Sequence, residues 1–133
     1  MRTKGLLALT ISIVFFTALF VGNVSAQPSI VSVAATKVTL AVSNSTPAVG
    51  QSVTFTATLK NGSKALSAKP VTIYHYYNNV RYNDVTNKAT DANGQATVTG
   101  SFASAGLRTY YATFSGDSSY GASTSSVLSI NVR

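Results

Sequence analysis

The chain of 133 residues predicts an all-β fold, a sandwich or barrel of about seven short strands behind an apolar leader. Three observations carry this expectation. Apolar residues alternate with polar ones at Val38, Leu40, Val42, at Val53, Phe55, Ala57, Leu59, and at Leu128, Ile130, Val132. That period of two is what a strand needs when one face lies in a core and the other in water. Clusters of Asn, Asp, Gly and Pro punctuate the alternating runs. Beyond the leader no stretch sustains the apolar period of a helix.

The elements follow in order. Residues 1–26 read as a signal peptide: Arg2 and Lys4 are the positive start, Gly5 to Val21 is the apolar run, and Val24-Ser25-Ala26 supplies small residues for cleavage before Gln27. The alternative is an uncleaved membrane anchor, near the lower length limit for a bilayer and diluted by Thr10, Ser12 and Thr17. Membrane contact is expected only through this leader. The expected location is therefore extracellular or at the cell surface. Its removal leaves 107 residues, enough for one core. Residues 27–35 are a lead-in segment and 36–133 the domain.

Within the domain the first strand is 36–43, and Asn44 to Gly50 connects it to the second, 51–60. Asn61-Gly62-Ser63-Lys64 is a turn, in which Asn-Gly is a strong hairpin signal, and Ala65 to Lys69 leads to the third strand at 70–77, which Pro70 can begin but could not interrupt. Asn78-Asn79 fits a two-residue hairpin loop, because Asn tolerates the left-handed backbone. The fourth strand is 80–85, with a further short strand near 86–90. Asp91-Ala92-Asn93-Gly94 is a turn. The fifth, sixth and seventh strands are 95–102, 107–115 and 123–132.

Register follows from parity. With Val71 and Ile73 facing the core, His75 and Tyr77 turn inward and Tyr74 and Tyr76 outward. The two-residue turn sets Tyr77 opposite Val80, Tyr76 opposite Arg81 and His75 opposite Tyr82. In the sixth strand Tyr110, Ala112 and Phe114 share one face, Tyr111 and Thr113 the other.

Composition narrows the function classes. The chain has no cysteine, so export brings no disulfide, no lipid anchor on Cys and no thiolate metal site. Without Arg2 and Lys4 it keeps eight Lys and Arg against three Asp, a balance of +5. The basic residues Lys37, Lys60, Lys64, Lys69, Arg81, Lys88, Arg108 and Arg133 are scattered rather than gathered in a stripe. That argues against nucleic acid and for solubility, edge protection and some attraction to acidic envelope polymers.

Three segments carry a resemblance. Ala112-Thr113-Phe114-Ser115-Gly116-Asp117-Ser118-Ser119-Tyr120, with the Ser-rich strand after it, resembles the end of the Ig-like repeat domains of bacterial and archaeal surface proteins. Val49-Gly50-Gln51-Ser52-Val53-Thr54-Phe55-Thr56-Ala57 is similar to their second-strand entry. Thr90-Asp91-Ala92-Asn93-Gly94-Gln95-Ala96 resembles a turn of the related invasin- and intimin-type domains. The resemblance covers about residues 36–133. It implies an immunoglobulin-like Greek-key β-sandwich and a structural or adhesive role as a spacer, stalk or adhesion module. It carries over no binding residues.

No reactive centre is legible. The acid–base inventory is His75, Asp84, Asp91 and Asp117 with Lys, Arg and Tyr, and no G-x-S-x-G elbow ties a nucleophile to His75. His75 reads as a packed or rim histidine. Three Asp at turns are a poor source for paired glycosidase carboxylates, and one His without Cys a poor metal site. Asp91-Ala92-Asn93-Gly94 imitates the start of a calcium loop, but no downstream acid completes it. Asp91 and Asp117 are sufficiently explained as turn formers. The expectation is a non-enzyme with no cofactor and no catalytic residue.

The functional lead is aromatic. Tyr74, Tyr76 and Tyr111 share outward parity on strands that pair in an immunoglobulin-like sheet, with Arg81 beside Tyr76. Such a patch could stack on an envelope polysaccharide or anchor a surface protein; β-rich sheets also favour Tyr for stability alone. The readings are a structural or adhesive module, a small carbohydrate-binding module and, more weakly, a secreted enzyme inhibitor. Asn44-Ser45-Thr46 and Asn61-Gly62-Ser63 are sequons, so Asn44 and Asn61 are candidate N-glycosylation sites.

Overall fold

The computed structural model describes residues 31–133. The signal-peptide reading of residues 1–26 and the start of the lead-in, residues 27–30, lie outside the described residues. The strands are β1 (Lys37–Val42), β2 (Ser52–Asn61), β3 (Lys64–Ala65), β4 (Pro70–Tyr77), β5 (Val80–Ala89), β6 (Gln95–Ser101), β7 (Gly106–Phe114), β8 (Ser123–Thr124) and β9 (Leu128–Val132). One sheet places β2 between β1 and β6, with β3 extending the β6 side; the other runs β5-β4-β7, with β8 and β9 on the far side of β7. All pairings between the strands are antiparallel. The chain changes sheet between β3 and β4, between β5 and β6 and again between β6 and β7, so β4 and β7 are neighbours in space but not in sequence. This is the immunoglobulin-like Greek-key sandwich.

The alternation in the sequence becomes the seam between the sheets. Val53, Phe55, Ala57 and Leu59 of β2 face Val71 and Ile73 of β4, Tyr110, Ala112 and Phe114 of β7, and Ile130 and Val132 of β9, all in one buried cluster. Burying each of the larger aliphatic side chains contributes about 1.5–3 kcal/mol. The residues between them, Thr54, Thr56 and Thr58, lie on the outer face, where Thr56 and Thr54 stand opposite Thr97 and Thr99 of β6.

The turns use the chemistry the sequence supplies. Asn78 and Asn79 both have positive φ, 51° and 63°, and the three cross-strand pairs at that end of the hairpin are Tyr77 with Val80, Tyr76 with Arg81 and His75 with Tyr82. Asp91 Oδ1 accepts from the N–H groups of Asn93 and Gln95. Asp117 Oδ1 accepts from Ser119 and Tyr120 N–H, and its other oxygen meets Lys69 Nζ at 2.5 Å. Lys69 first, and then the Ser119 N–H, hold the Asp117 carboxyl below the usual carboxylate range. Ala34 of the lead-in bonds across to the same loop, donating to Ser119 O and accepting from Gly121 N–H.

Four expectations need correction. The hairpin expected at Asn61-Gly62 forms, but Lys64 and Ala65, expected as turn and connection, are its short second strand, β3. Residues 80–85 and 86–90 are not two strands: β5 runs to Ala89 through two bulges, one at each side of Ile73 in the pairing. The 123–132 strand is split, because Ser125 turns its hydroxyl onto Ala112 N–H at 2.9 Å and replaces a ladder bond with a side-chain bond. Val80 and Tyr82 have the inward parity expected of them but remain 49% and 45% exposed at the turn end of the β4–β5 hairpin.

Candidate functional site

Two groups of side chains flank the β4–β5 hairpin, one on each face. On the outer face β4 pairs with β7 so that Tyr74 stands opposite Tyr111. Their rings stack at 5.3 Å between centroids, and Tyr76 stacks on the same Tyr111 ring at 6.1 Å. Arg81, opposite Tyr76 on β5, lays its guanidinium 5.0 Å from the Tyr74 ring. The Tyr111 hydroxyl, and less strongly Tyr76 and Tyr74, raise the Arg81 pKa above its ordinary value. The four residues singled out in the sequence therefore form one platform, with Arg81 exposed and Tyr76 40% exposed.

The inner face holds an arrangement that sequence reasoning missed. A cleft of about 330 Å³ lies between β4, β5, β7 and the end of β6. Its walls are Phe55, Phe102 and Tyr110, with Val85 and Val98 at the sides. His75 lies between Tyr82 and Tyr110, at 4.9 and 5.1 Å, and its Nδ1 reaches both carboxylate oxygens of Asp84 at 2.7 Å. The bulge in β5 makes this pair. An unbroken register would set Asp84 opposite Ile73 in the core; the extra residue gives Ile73 the apolar Val85 as partner instead and leaves Asp84 beside His75.

Arg108 lines the same cleft. It is 7% exposed, the one charged side chain in the buried class among the described residues. Its guanidinium stacks 4.3 Å from the Tyr77 ring and 5.1 Å from the Phe102 ring. Nη2 donates to Ser104 Oγ at 2.9 Å and Nη1 to Gly106 O at 3.3 Å. Burial, and then the nearby Asp84, raise the Tyr110 pKa, while Arg108 opposes them. A signal for Arg108 existed in the sequence: it has the inward parity of Tyr110, Ala112 and Phe114, a charge on a core face. Reading the basic residues only as scattered surface charge hid it. Asp84 had no such signal, since its position depends on the bulge.

The remaining candidates serve the backbone. Asn44 Oδ1 accepts from Thr46 N–H at 2.9 Å, and Asn61 Nδ2 donates to Ala35 O at 2.5 Å.

No curated protein matches the chain. Among solved structures, one similar chain is described as the crystal structure of a beta-glucosidase from Listeria innocua in complex with glucose; it is 18% identical, with a TM-score of 0.40 over 73% of this chain. The present chain spans 16% of that protein's length. The family model described as bacterial Ig-like domain (group 3) matches residues 38–133, from the first core residue of β1 to the end of the sequence. With that match and the two-sheet Greek key, the chain belongs to the bacterial Ig-like domain family, group 3.

Proposed function

We propose that the chain is a secreted or cell-surface, non-enzymatic module with a structural and adhesive role, and that it makes contact through the outer face of the β4–β7 sheet. The observation that carries this reading is the stacked Tyr74–Tyr111–Tyr76 group with Arg81 over it. Stacked rings with polar tips and a planar cation offer contact area at low cost in side-chain freedom. They sit on paired strands of a packed sheet, so the platform is organised before a partner arrives. Bacterial Ig-like domains are often found in extracellular or surface proteins, which supports the surface reading.

Fractionation tests the structural role. Recovery of the protein with the cell envelope supports it, and recovery only in the medium with no retained partner opposes it. A second reading, a small carbohydrate-binding module, is favoured by the same rings, because sugar faces stack on Tyr. Affinity electrophoresis through a panel of envelope and plant polysaccharides separates the two. The sugar reading expects retardation that a Tyr74→Ala/Tyr76→Ala variant loses; mobility unchanged in every polysaccharide removes it.

A further inference from the structure

The inner-face cleft has a chemistry that the outer platform does not use. Three aromatic rings, Phe55, Phe102 and Tyr110, form its apolar wall, and its volume of about 330 Å³ is at the small end of the range for organic ligands. Into this wall the fold places a buried guanidinium. Buried charges are ordinarily paired with an opposite charge. Among the described residues Asp117 pairs with Lys69 and Asp84 bonds to His75, so Arg108 meets two neutral oxygens and two rings but no carboxylate of the described residues. Asp84, the acid nearest in the cleft lining, is engaged by His75 through both of its oxygens.

We propose that the cleft between the β4–β5 hairpin and the end of β6 is a binding site for a small ring-bearing carboxylate. The anionic end lies on Arg108 and the ring against Phe102 and Tyr110. A guanidinium has five N–H donors in a planar fork, and Arg108 directs two of them at Ser104 and Gly106. The rest suit a carboxylate better than any neutral group, since charge-assisted bonds are about twice as strong as neutral ones. The His75–Asp84 pair belongs to the same lining and holds the imidazole between Tyr82 and Tyr110. Ser101 and Ser104 at the rim can meet polar substituents of the ring.

The test is a titration of the purified protein with phenylacetate and, separately, with its uncharged isostere phenylacetamide, followed by ¹H–¹⁵N NMR. Saturable shifts at Gly100, Ser101 and Arg108 are expected with phenylacetate, and the amide is expected to bind at least about tenfold more weakly. Arg108→Gln should remove the preference for the charged form, and Arg108→Lys should keep part of it. Val98→Phe, which fills the cleft from β6 without touching Arg108, should abolish binding of both probes while the melting transition persists; it serves as the test if Arg108→Gln does not fold. Equal binding of acid and amide overturns the proposal. So do shifts confined to Tyr74, Tyr76 and Tyr111, binding that survives Val98→Phe, or no saturation up to about 20 mM, weaker than millimolar affinity.

Discussion

Gly94 closes the Asp91 turn with φ at +74°, and a Cβ there would lie 2.6 Å from the carbonyl oxygen of Leu59 and 3.1 Å from Leu66 N. Both neighbours are backbone and cannot turn away. Gly62 has φ at +59° in the preceding turn, with nothing within 4 Å of its would-be Cβ. The two glycines separate conformational strain from collision. Gly62→Ala should cost about 1 kcal/mol from the left-handed backbone alone, and Gly94→Ala about 2–3 kcal/mol more, because strand β2 must also move. Denaturant unfolding of both variants measures the difference; equal losses would show that the close approach to Leu59 is inconsequential. Tyr110 gives a second prediction at this scale. Burial, then Asp84, raise its pKa, so the folded state keeps the phenol protonated where the unfolded chain ionises it. The contribution is fully present below the unfolded value of about 10 and is lost as pH rises from there toward the folded value, by up to roughly 1.4 kcal/mol per pH unit. Between pH 10 and 12 the wild type should therefore lose more stability than Tyr110→Phe, which has no proton to give up at that site. Parallel losses in the two proteins would contradict the burial account.

The β4–β5 hairpin shows what strand-level reasoning can and cannot reach. Both loop residues are left-handed, as a two-residue turn matching the twist of its strands requires, and the second position favours Gly over Asn. Asn79→Gly is expected to raise stability by about 0.5–1 kcal/mol without disturbing the Tyr76–Arg81 pairing. A thermal melt with NMR cross-strand contacts checks both; a lower midpoint would mean that Asn79 has a bond in the turn worth more than the backbone strain. The pairing of this hairpin was legible because turn length and side-chain parity fix it locally. The Tyr74–Tyr111 contact was legible for the same reason, once β4 and β7 are neighbours. The local rules end at the bulges. Pairing Ile73 with Asp84 would have been continuous but would have set a carboxylate against the core, and the chain instead inserts a residue so that Val85 takes the place. Nothing in the run Asn83-Asp84-Val85 announces this, since the penalty arises from the opposite sheet. Ser125 is similar: its hydroxyl breaks a strand only because Ala112 N–H is within reach. Arg108 differs from both, because its inward parity was visible beside Tyr110 and only its burial needed the structure.

At the scale of the whole molecule the two sides of the sandwich are unequally built, and its opening should follow that inequality. β2 and β7 are each paired on both sides and contribute every second residue to the seam. β5 is an edge strand of ten residues, all of them exposed except the half-buried Val85. No disulfide can fasten that edge, because the chain has no cysteine. Local opening is cheapest where few apolar contacts are lost. Backbone amides of β5 should thus exchange hydrogen through openings insensitive to low denaturant, while those of β2 and β7 exchange only when the whole domain unfolds and follow the global denaturant slope. The cleft lies against the looser side, walled by β5 through Asp84 and Val85 and by the rigid seam through Phe55 and Tyr110. A guest held there would tie the two together, so a saturating cleft ligand should slow β5 exchange more than it slows exchange in β1, on the far sheet edge. Native-state exchange with and without phenylacetate measures this. If β5 already exchanges with the same slope and free energy as β2, the hairpin belongs to the global unfolding unit and is as rigid as the core that supports it.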